Sequence, residues 1–399
     1  MLMLRQLASQ PMTGRWVPVI CAVFWSVLSC TPSQEGKRTN WSQWQKVPND
    51  YADHFEIWTR GSRSLLLVFG HGGKQDTVGK YWVSLDGDTD LPPVEVIRIP
   101  VELDSIALTS TTHVPFVTTL GHVASIRACA HLDQVRDVSL RTRVEKDEVK
   151  EIASGDGIDR ETLLVLKPQA LFGYPFGQSE GSTISRLGIP VIEVSEYLEE
   201  HPLGRAEWLR VFGVLLGEEQ KADSLFDGIK HRYEAMRIET SSVDRPTVLF
   251  GSVWDGQWWV PPGNSYMARL IEDAGGQYLF ADRKGSGNIA VDMETMVLVA
   301  KDANYWGMVT AEKGPIMAST FTGGDTRLKS FKAAREHHLF VSAGECDFFG
   351  KAMIEPDVLL QDLICSVGSV RCPQEHMFQA VLPYFTCAYY ESEVGSTTQ

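Results

Sequence analysis

The stretch PLGRAEWLRVFGVLLGEEQKADSLFDGIKHRYEAMRIET, residues 202–240, decides how this chain is read. After Pro202, the residues Trp208, Val211, Phe212, Leu215 and Leu216 are spaced as one helix face. After Gly217, Ala222, Leu225, Phe226, Ile229, Tyr233 and Met236 form a second face. That second run predicts about 22 helical residues, or roughly 33 Å at 1.5 Å per residue. Thr240-Ser241-Ser242 ends it, and Arg245–Val253 reads as a new strand.

On both sides of this stretch the pattern alternates between short strands and helices. Ser105–Ser110 reads as a strand and Pro115–Gly121 as the start of a helix. Thr162–Lys167 ends a helix, followed after Pro168 by the strand Ala170–Gly173. Arg186–Gly188 then leads into the strand Pro190–Val194. Such units predict an α/β fold with mostly parallel sheets. A long helix between two α/β regions reads as a strut joining two lobes; a surface helix within one large domain is the competing reading. Ahead of the lobes, residues 51–108 look β-rich, with runs Phe55–Trp58, Leu65–Phe69, Tyr81–Leu85 and Val94–Val101 between Gly/Asp/Pro turns. The expected layout is a leader at 1–29, a tether at 30–50 and a β-rich elaboration at 51–104. An N-lobe at 105–217, an interlobe helix at 218–241 and a C-lobe at 242–390 follow.

The leader is expected from charge and hydropathy. Arg5 and Arg15 precede the apolar run Trp16–Leu28, and residues 1–29 hold no acidic side chain. A positive start, a short apolar run and a small residue at the end make a secretory signal peptide. The run is too short for the ~20 apolar residues that span a bilayer. Val27-Leu28-Ser29-Cys30 resembles the bacterial lipobox, which makes Cys30 the expected lipidation site. An ordinary signal peptide cut nearby, or a short membrane anchor, is the alternative. The segment from Thr31 to Trp41 has few large apolar groups and reads as a flexible tether. The protein is therefore expected in the periplasm, lipid-anchored to a membrane.

Composition narrows the class. Hydrophobic residues at 43% and charged residues at 22% describe a globular protein with a core. The formal charge is −14, and −16 without Arg5 and Arg15, which leaves 35 basic against 51 acidic groups. Such a surface repels phosphate backbones, so no nucleic acid is expected as a partner. Eleven Trp hint at aromatic ligand contacts, although Trp also fills cores. Of seven cysteines, five lie beyond residue 30, and Cys365 with Cys372 is the most plausible local pair. No cysteine or histidine cluster has zinc spacing, and no resident metal is expected.

Seven pieces in order then carry a family resemblance. They are Ser110–Phe116, Glu161–Pro168, Leu187–Val191, Pro202–Trp208, Trp258–Tyr266, Leu270–Gly276 and Pro356–Leu363. Together the chain resembles the iron-complex and vitamin B12 periplasmic substrate-binding proteins of ABC importers, over roughly residues 105–385. The resemblance implies two Rossmann-like lobes joined by one backbone helix, with ligand held between them. It implies no chemistry and no cofactor: the expected ligand is a metal chelate, namely a ferric siderophore, haem or cobalamin. The expected partners are an ABC permease and its ATPase. By motif position, Glu161 and Glu272 match the two glutamates that such proteins present to permease arginines.

In such a two-lobed binder the loops after the strands would carry the ligand wall. These place Thr111, Thr112, His113 and Tyr174 on the N-lobe side. Trp254, Trp258, Trp259, Trp306, Phe348 and Phe349 fall on the C-lobe side. Flat aromatic faces suit a chelate, porphyrin or corrin. Arg283, Lys284 and Lys313 are the expected basic groups, and His113 or His71 the expected candidates for a contact with iron. Two motifs compete. Gly177-Gln178-Ser179-Glu180-Gly181 matches the hydrolase elbow, with His376 downstream, which makes a lipid-anchored α/β hydrolase using Ser179 the alternative function. Pro175 interrupts the strand that the elbow needs. Gly70-His71-Gly72-Gly73-Lys74 is too short for a phosphate loop and reads as a turn between strands.

The lipobox reading makes the first prediction. Cys30→Ser should yield an uncleaved or untethered product that takes up no lipid label. Unchanged membrane attachment and labelling would remove the lipoprotein assignment.

Overall fold

The computed structural model describes residues 41–84, 94–155, 157–174, 183–238, 245–254, 256–368 and 384–387. Cys30 and the leader lie outside them. The β-rich segment forms one five-stranded sheet in sequence order: β1 (Gln45–Val47), β2 (Phe55–Arg60), β3 (Arg63–Gly70), β4 (Gly73–Ser84) and β5 (Ile97–Pro100). All neighbours pair antiparallel except β4 and β5, which are parallel. The sheet begins six residues before the expected boundary at 51. Trp44 explains the correction to the tether, because its ring is buried 5.3 Å from Trp82, edge to face.

The N-lobe follows. Its strands are β6 (Ile106–Leu108), β7 (Ile126–Cys129), β8 (Lys150–Glu151), β11 (Ala170–Gly173) and β12 (Val191–Glu193); a small hairpin, β9 (Ala153–Ser154) and β10 (Gly157–Ile158), intervenes. The sheet order is β12-β11-β6-β7-β8, parallel throughout. Helices α1 (Val114–Thr119), α2 (Val138–Glu145) and α3 (Arg160–Leu166) belong to this lobe. The Asp137 and Asp159 carboxylates cap α2 and α3 by accepting backbone N–H groups.

The stretch at 202–240 makes three helices: α4 (Pro202–Glu207), α5 (Leu209–Leu216) and α6 (Glu219–Met236). Ala222, Phe226, Ile229 and Tyr233 are the buried face of α6, on the predicted period. The strut is shorter than the expected 218–241, because the chain turns extended at Arg237 and Ile238 N–H donates to Asp273 O at 2.9 Å. Gly217 sits at φ +72° between α5 and α6, a conformation that a side chain resists. Gly213 lets the two helices approach: a Cβ there would lie 2.6 Å from the Ala222 Cβ.

The C-lobe strands are β13 (Thr247–Phe250), β14 (Ser252–Trp254), β15 (Gln257–Val260), β16 (Gln277–Tyr278), β17 (Ile289–Val291), β18 (Tyr305–Val309), β19 (Leu339–Ser342) and β20 (Thr386–Cys387). The main sheet runs β16-β13-β18-β19-β20, parallel except for the last pair, and β14-β15-β17 form a small antiparallel sheet. The longer helices of this lobe are α7 (Tyr266–Asp273), α8 (Met293–Ala300) and α9 (Pro356–Ser366). Two buried aspartates tie α6 to this lobe. Tyr233 Oη donates to Asp273 at 2.7 Å, and Arg232 Nε to Asp357 at 2.6 Å. On its other side α6 packs against α5, whose Leu215 carbonyl accepts from Leu103 N–H at the entrance to the N-lobe. The helix therefore touches both lobes along its length. Cys129 and Cys346 are free thiols, and Cys365 is disulfide-bonded; Cys372 lies outside the described residues.

Two buried carboxylates fasten the N-terminal segment. Glu207 accepts N–H groups of Asp50, Tyr51 and Ala52 at 2.7–2.8 Å. Glu199 accepts those of Asp53 and His54 at 2.9 and 3.0 Å, and the Trp208 indole at 3.0 Å. Arg210 pairs with Glu207 at 2.5 Å. Removing one partner of such a buried cluster strands several N–H groups and a cation at once. Glu207→Ala is expected to cost about 3–5 kcal/mol in urea unfolding. A loss under ~1 kcal/mol would mean that the segment is held by its apolar contacts alone.

Candidate functional site: an aromatic cleft between the lobes

In an open α/β sheet, ligands bind beyond the carboxyl ends of strands where the strand order reverses. The N-lobe order reverses between β6 and β11, and the C-lobe order between β13 and β18. The loops at these points are Ser110–His113 and Tyr174 in one lobe, and Gly251 and Thr310–Lys313 in the other. All open onto one cleft.

The cleft consists of two adjoining cavities of about 660 and 580 Å³ that share Phe250, Pro261, Asn288, Phe348 and Phe349. Each lies within the range of small-molecule sites, roughly 300–1,000 Å³. The first is walled by Thr112, Tyr174, Glu196 and Tyr197 from the N-lobe, and by Pro262, Tyr266, Phe348 and Phe349 from the C-lobe. The second holds Thr111, Arg136, Trp259 and Lys313. Hydrogen bonds cross between the lobes: Arg136 donates twice to Gly344 O, at 3.0 and 3.2 Å, and Asn264 donates to Glu200 at 2.5 Å.

Four side chains of the N-lobe wall form one network. Thr112 Oγ1 donates to Glu196 at 2.7 Å and lies 2.8 Å from Tyr174 Oη, which donates to Ser110 Oγ at 2.5 Å. Ser110 Oγ accepts from Thr112 N–H, which fixes the turn. Glu196 is buried, and burial pushes its carboxyl up to about 7. Its second oxygen has no hydrogen-bond partner among the described residues. Burial likewise pushes Glu193 and Glu199 up to about 7, and raises the Tyr174 phenol, which stays neutral.

Arg205 supplies the guanidinium of the first cavity. Its guanidinium lies 3.7 Å over the Tyr266 ring, and Nη2 donates to Tyr197 O at 2.9 Å. Nη1 lies 3.3 Å from the Met353 sulfur. Its Nε is buried without a partner among the described residues. An unpaired donor on a fixed cation beside a half-ionised carboxyl can engage a ligand edge that carries both charge and hydrogen-bonding groups.

The sequence-derived candidates divide. Thr112, Tyr174, Trp259 and Phe349 line the cleft, Phe349 being 60% exposed. Trp258 and Trp306 do not: both are 0% exposed, with ring centroids 5.3 Å apart. They belong to the C-lobe core, because side chains alternate along β15 and only Trp259 turns toward the cleft. His113 also requires correction. It is 0% exposed behind the Tyr174 ring, at 5.1 Å, and burial lowers its imidazole to about 3, so it supports the wall from behind. Trp254 ends β14, and its side chain lies outside the described residues, as do Ser179 and His376. Arg283 and Lys284 are exposed and line neither cavity, whereas Lys313 lines the second. Glu161 is exposed on α3, and Glu272, half-buried on α7, borders a flanking hollow with Asp50 and Arg269. The residues that periodicity and motif missed are Glu196, Tyr197, Arg205, Tyr266 and Phe250.

Comparison with known proteins matches this geometry. The family model described as periplasmic binding protein matches residues 106–343. An uncharacterized lipoprotein of Methanocaldococcus jannaschii is 29% identical over 232 residues, 55% of this chain and 54% of that protein. The chain thus spans about half the length of that relative. A periplasmic haem-binding protein from Pseudomonas aeruginosa shares the fold with a TM-score of 0.57 at 15% identity, covering 72% of this chain and 98% of that one. A periplasmic catecholate-siderophore-binding protein from Vibrio cholerae does so with a TM-score of 0.54 at 12% identity, covering 68% and 95%. Among the described residues, no helix is long and apolar enough to cross a membrane.

Glu196 yields a pH prediction. It titrates at about 7 in the folded chain against an ordinary 4.5, so the folded state keeps a proton that the unfolded chain has released. The stability this contributes is full below about pH 4.5 and is lost as pH rises through 7. Glu196→Gln cannot titrate. Relative to the parent, it should therefore gain on the order of 2 kcal/mol in urea unfolding between pH 5 and pH 8. A difference that stays constant with pH would mean that Glu196 does not take up the proton.

Proposed function

The chain belongs to the periplasmic binding protein family, and from that premise we propose that it is the lipid-anchored substrate-binding component of an ABC importer. It captures a metal chelate, a ferric siderophore, haem or cobalamin, and hands it to a permease outside the cytoplasm. One observation carries the reading: a single cleft joins the crevices of both lobes and puts a fixed Arg205 cation among Tyr174, Tyr197, Tyr266, Phe250 and Phe349. Aromatic faces take the broad apolar surface of a chelate, and the guanidinium takes an anionic edge such as a carboxylate or catecholate. No bond is made or broken. Glu161 and Glu272 are the proposed docking groups for permease cations, acting at a distance from the cavity walls. Rim charges of this kind steer association and set orientation, and salt screens them over ~8–10 Å.

Titration with haemin, cobalamin and a set of ferric siderophores, followed by tryptophan fluorescence, tests capture. At least one is expected to bind with a Kd of about 1 μM or tighter, near −8 kcal/mol. Saturable binding to none of them removes the importer reading. Delivery separates from capture in the Glu161→Lys, Glu272→Lys double variant, which should lose uptake while keeping the parental Kd. Uptake at the parental rate would move docking to other residues.

A further inference from the structure

We infer that the N-terminal sheet is a third wall of the binding cleft, and that His71 at its β3–β4 turn contacts the ligand and sets specificity. This rests on the proposed role of the cleft, but it assigns the contact to a part of the chain that precedes the family match at 106–343. His54 and His71 both line the 660 Å³ cavity. The imidazole of His71 lies edge-on to Tyr197, with ring centroids 6.2 Å apart, on the side of the cavity formed by Glu196 and Tyr197.

The position of His71 is fixed rather than accidental. The turn between β3 and β4 is only two residues long, and Gly72 N–H donates to Asp76 at 3.3 Å. Just below it, Phe69 N–H donates to His54 O at 2.8 Å, and His54 Nδ1 lies 3.3 Å from Phe69 O. His54 is in turn held by Glu199, a cleft residue. The sheet is thus pinned to the N-lobe within a few residues of the wall it forms. At the other end Tyr81 Oη accepts from Glu193 N–H at 2.7 Å, which anchors β4 beside β12.

The chemistry of this wall differs from that of the other two. The lobes offer aromatic faces, hydroxyls, the Glu196 carboxyl, the Arg205 and Arg136 guanidinium groups and the Lys313 ammonium. His71 adds an imidazole, which can donate, accept, or occupy an open position on a chelated transition metal. Of the two histidines that this sheet brings to the cavity, His54 lies with Nδ1 against the Phe69 carbonyl, and His71 sits on the exposed turn beside Tyr197.

His71→Ala in the full-length chain tests the inference against the same panel of haemin, cobalamin and ferric siderophores. Gln75→Ala, an exposed change on the same hairpin that lines neither cavity, is the control. His71→Ala is expected to weaken binding of the preferred panel member about tenfold and to change its preference over the others, as losing one direct contact to a ligand does. The melting temperature and the Gln75→Ala affinity should stay at the parental values. His71→Gln identifies the contact: near-parental affinity indicates a hydrogen bond, and a loss equal to that of His71→Ala indicates metal ligation. If the parent binds a panel member and His71→Ala binds it within twofold with unchanged preference, the third wall is overturned and the importer reading stands. If the parent binds nothing, both fall together.

Discussion

The structure hangs on two carboxylates that water does not reach. Glu199 and Glu207 lie eight residues apart, one just ahead of α4 and one at its end, and between them accept five consecutive backbone N–H groups from Asp50 to His54. A carboxylate removed from water is costly unless its lone pairs are filled, and these are filled by the backbone N–H groups of an extended segment. The arrangement settles two problems at once. An extended segment that could not satisfy its own backbone gains acceptors, and two buried acids gain donors. Phe55 against Trp208, at 5.2 Å edge to face, adds the apolar part of the same joint. Because α4 leads through α5 into α6, the N-terminal sheet is fixed to the same helices that join the lobes.

That joint limits how the cleft can move. Lys230 and Arg210 reach Asp50 at 2.9 and 3.9 Å, so the segment ahead of β2 braces the strut along its exposed side. Asp273 and Asp357 hold the strut to the C-lobe, and the Arg136–Gly344 and Asn264–Glu200 contacts cross the cleft itself. Large hinge bending would break several of these contacts together. A ligand here enters walls already in place and spends little of its binding free energy on ordering them.

Much of this was legible in the sequence, and what was not has a physical reason. The face of α6 was legible because four buried residues recur at helical spacing and nothing else explains Phe226 and Tyr233 in a charged segment. The parallel lobes were legible from short apolar strands ended by Gly or Pro. The cleft aromatics were harder. In Gln257-Trp258-Trp259-Val260 the two indoles are equivalent by composition, and only the two-residue period of a strand separates the core Trp258 from the cleft Trp259. His113 reads as a loop residue, yet the short turn ahead of α1 carries it inward beneath Tyr174. Glu196, Glu199 and Glu207 carry no mark at all: a glutamate in sequence reads as a solvated group until the fold buries it. His71 could be singled out in the sequence, but its pairing with Tyr197 could not, since that neighbour is 126 residues away.

The buried acids also shape the electrostatics that a ligand meets. Glu196 and Glu199 on the wall, with Glu193 close enough to act on Tyr197, would concentrate negative charge there if all were ionised, in a chain whose net charge is already −14. Burial holds each near 7, so at neutral pH the wall carries only part of that charge. Arg205 is correspondingly less neutralised than its neighbourhood suggests: its guanidinium rests on Tyr266 and on the Tyr197 carbonyl instead of in a salt bridge. The cleft can therefore present a cation to an anionic group from within an acidic protein. Acidification sharpens that contrast by neutralising the glutamates while leaving the guanidinium charged. The same residues that fasten the fold thus decide which charge the cleft shows, and the N-terminal segment, by filling the lone pairs of Glu199, is part of that decision.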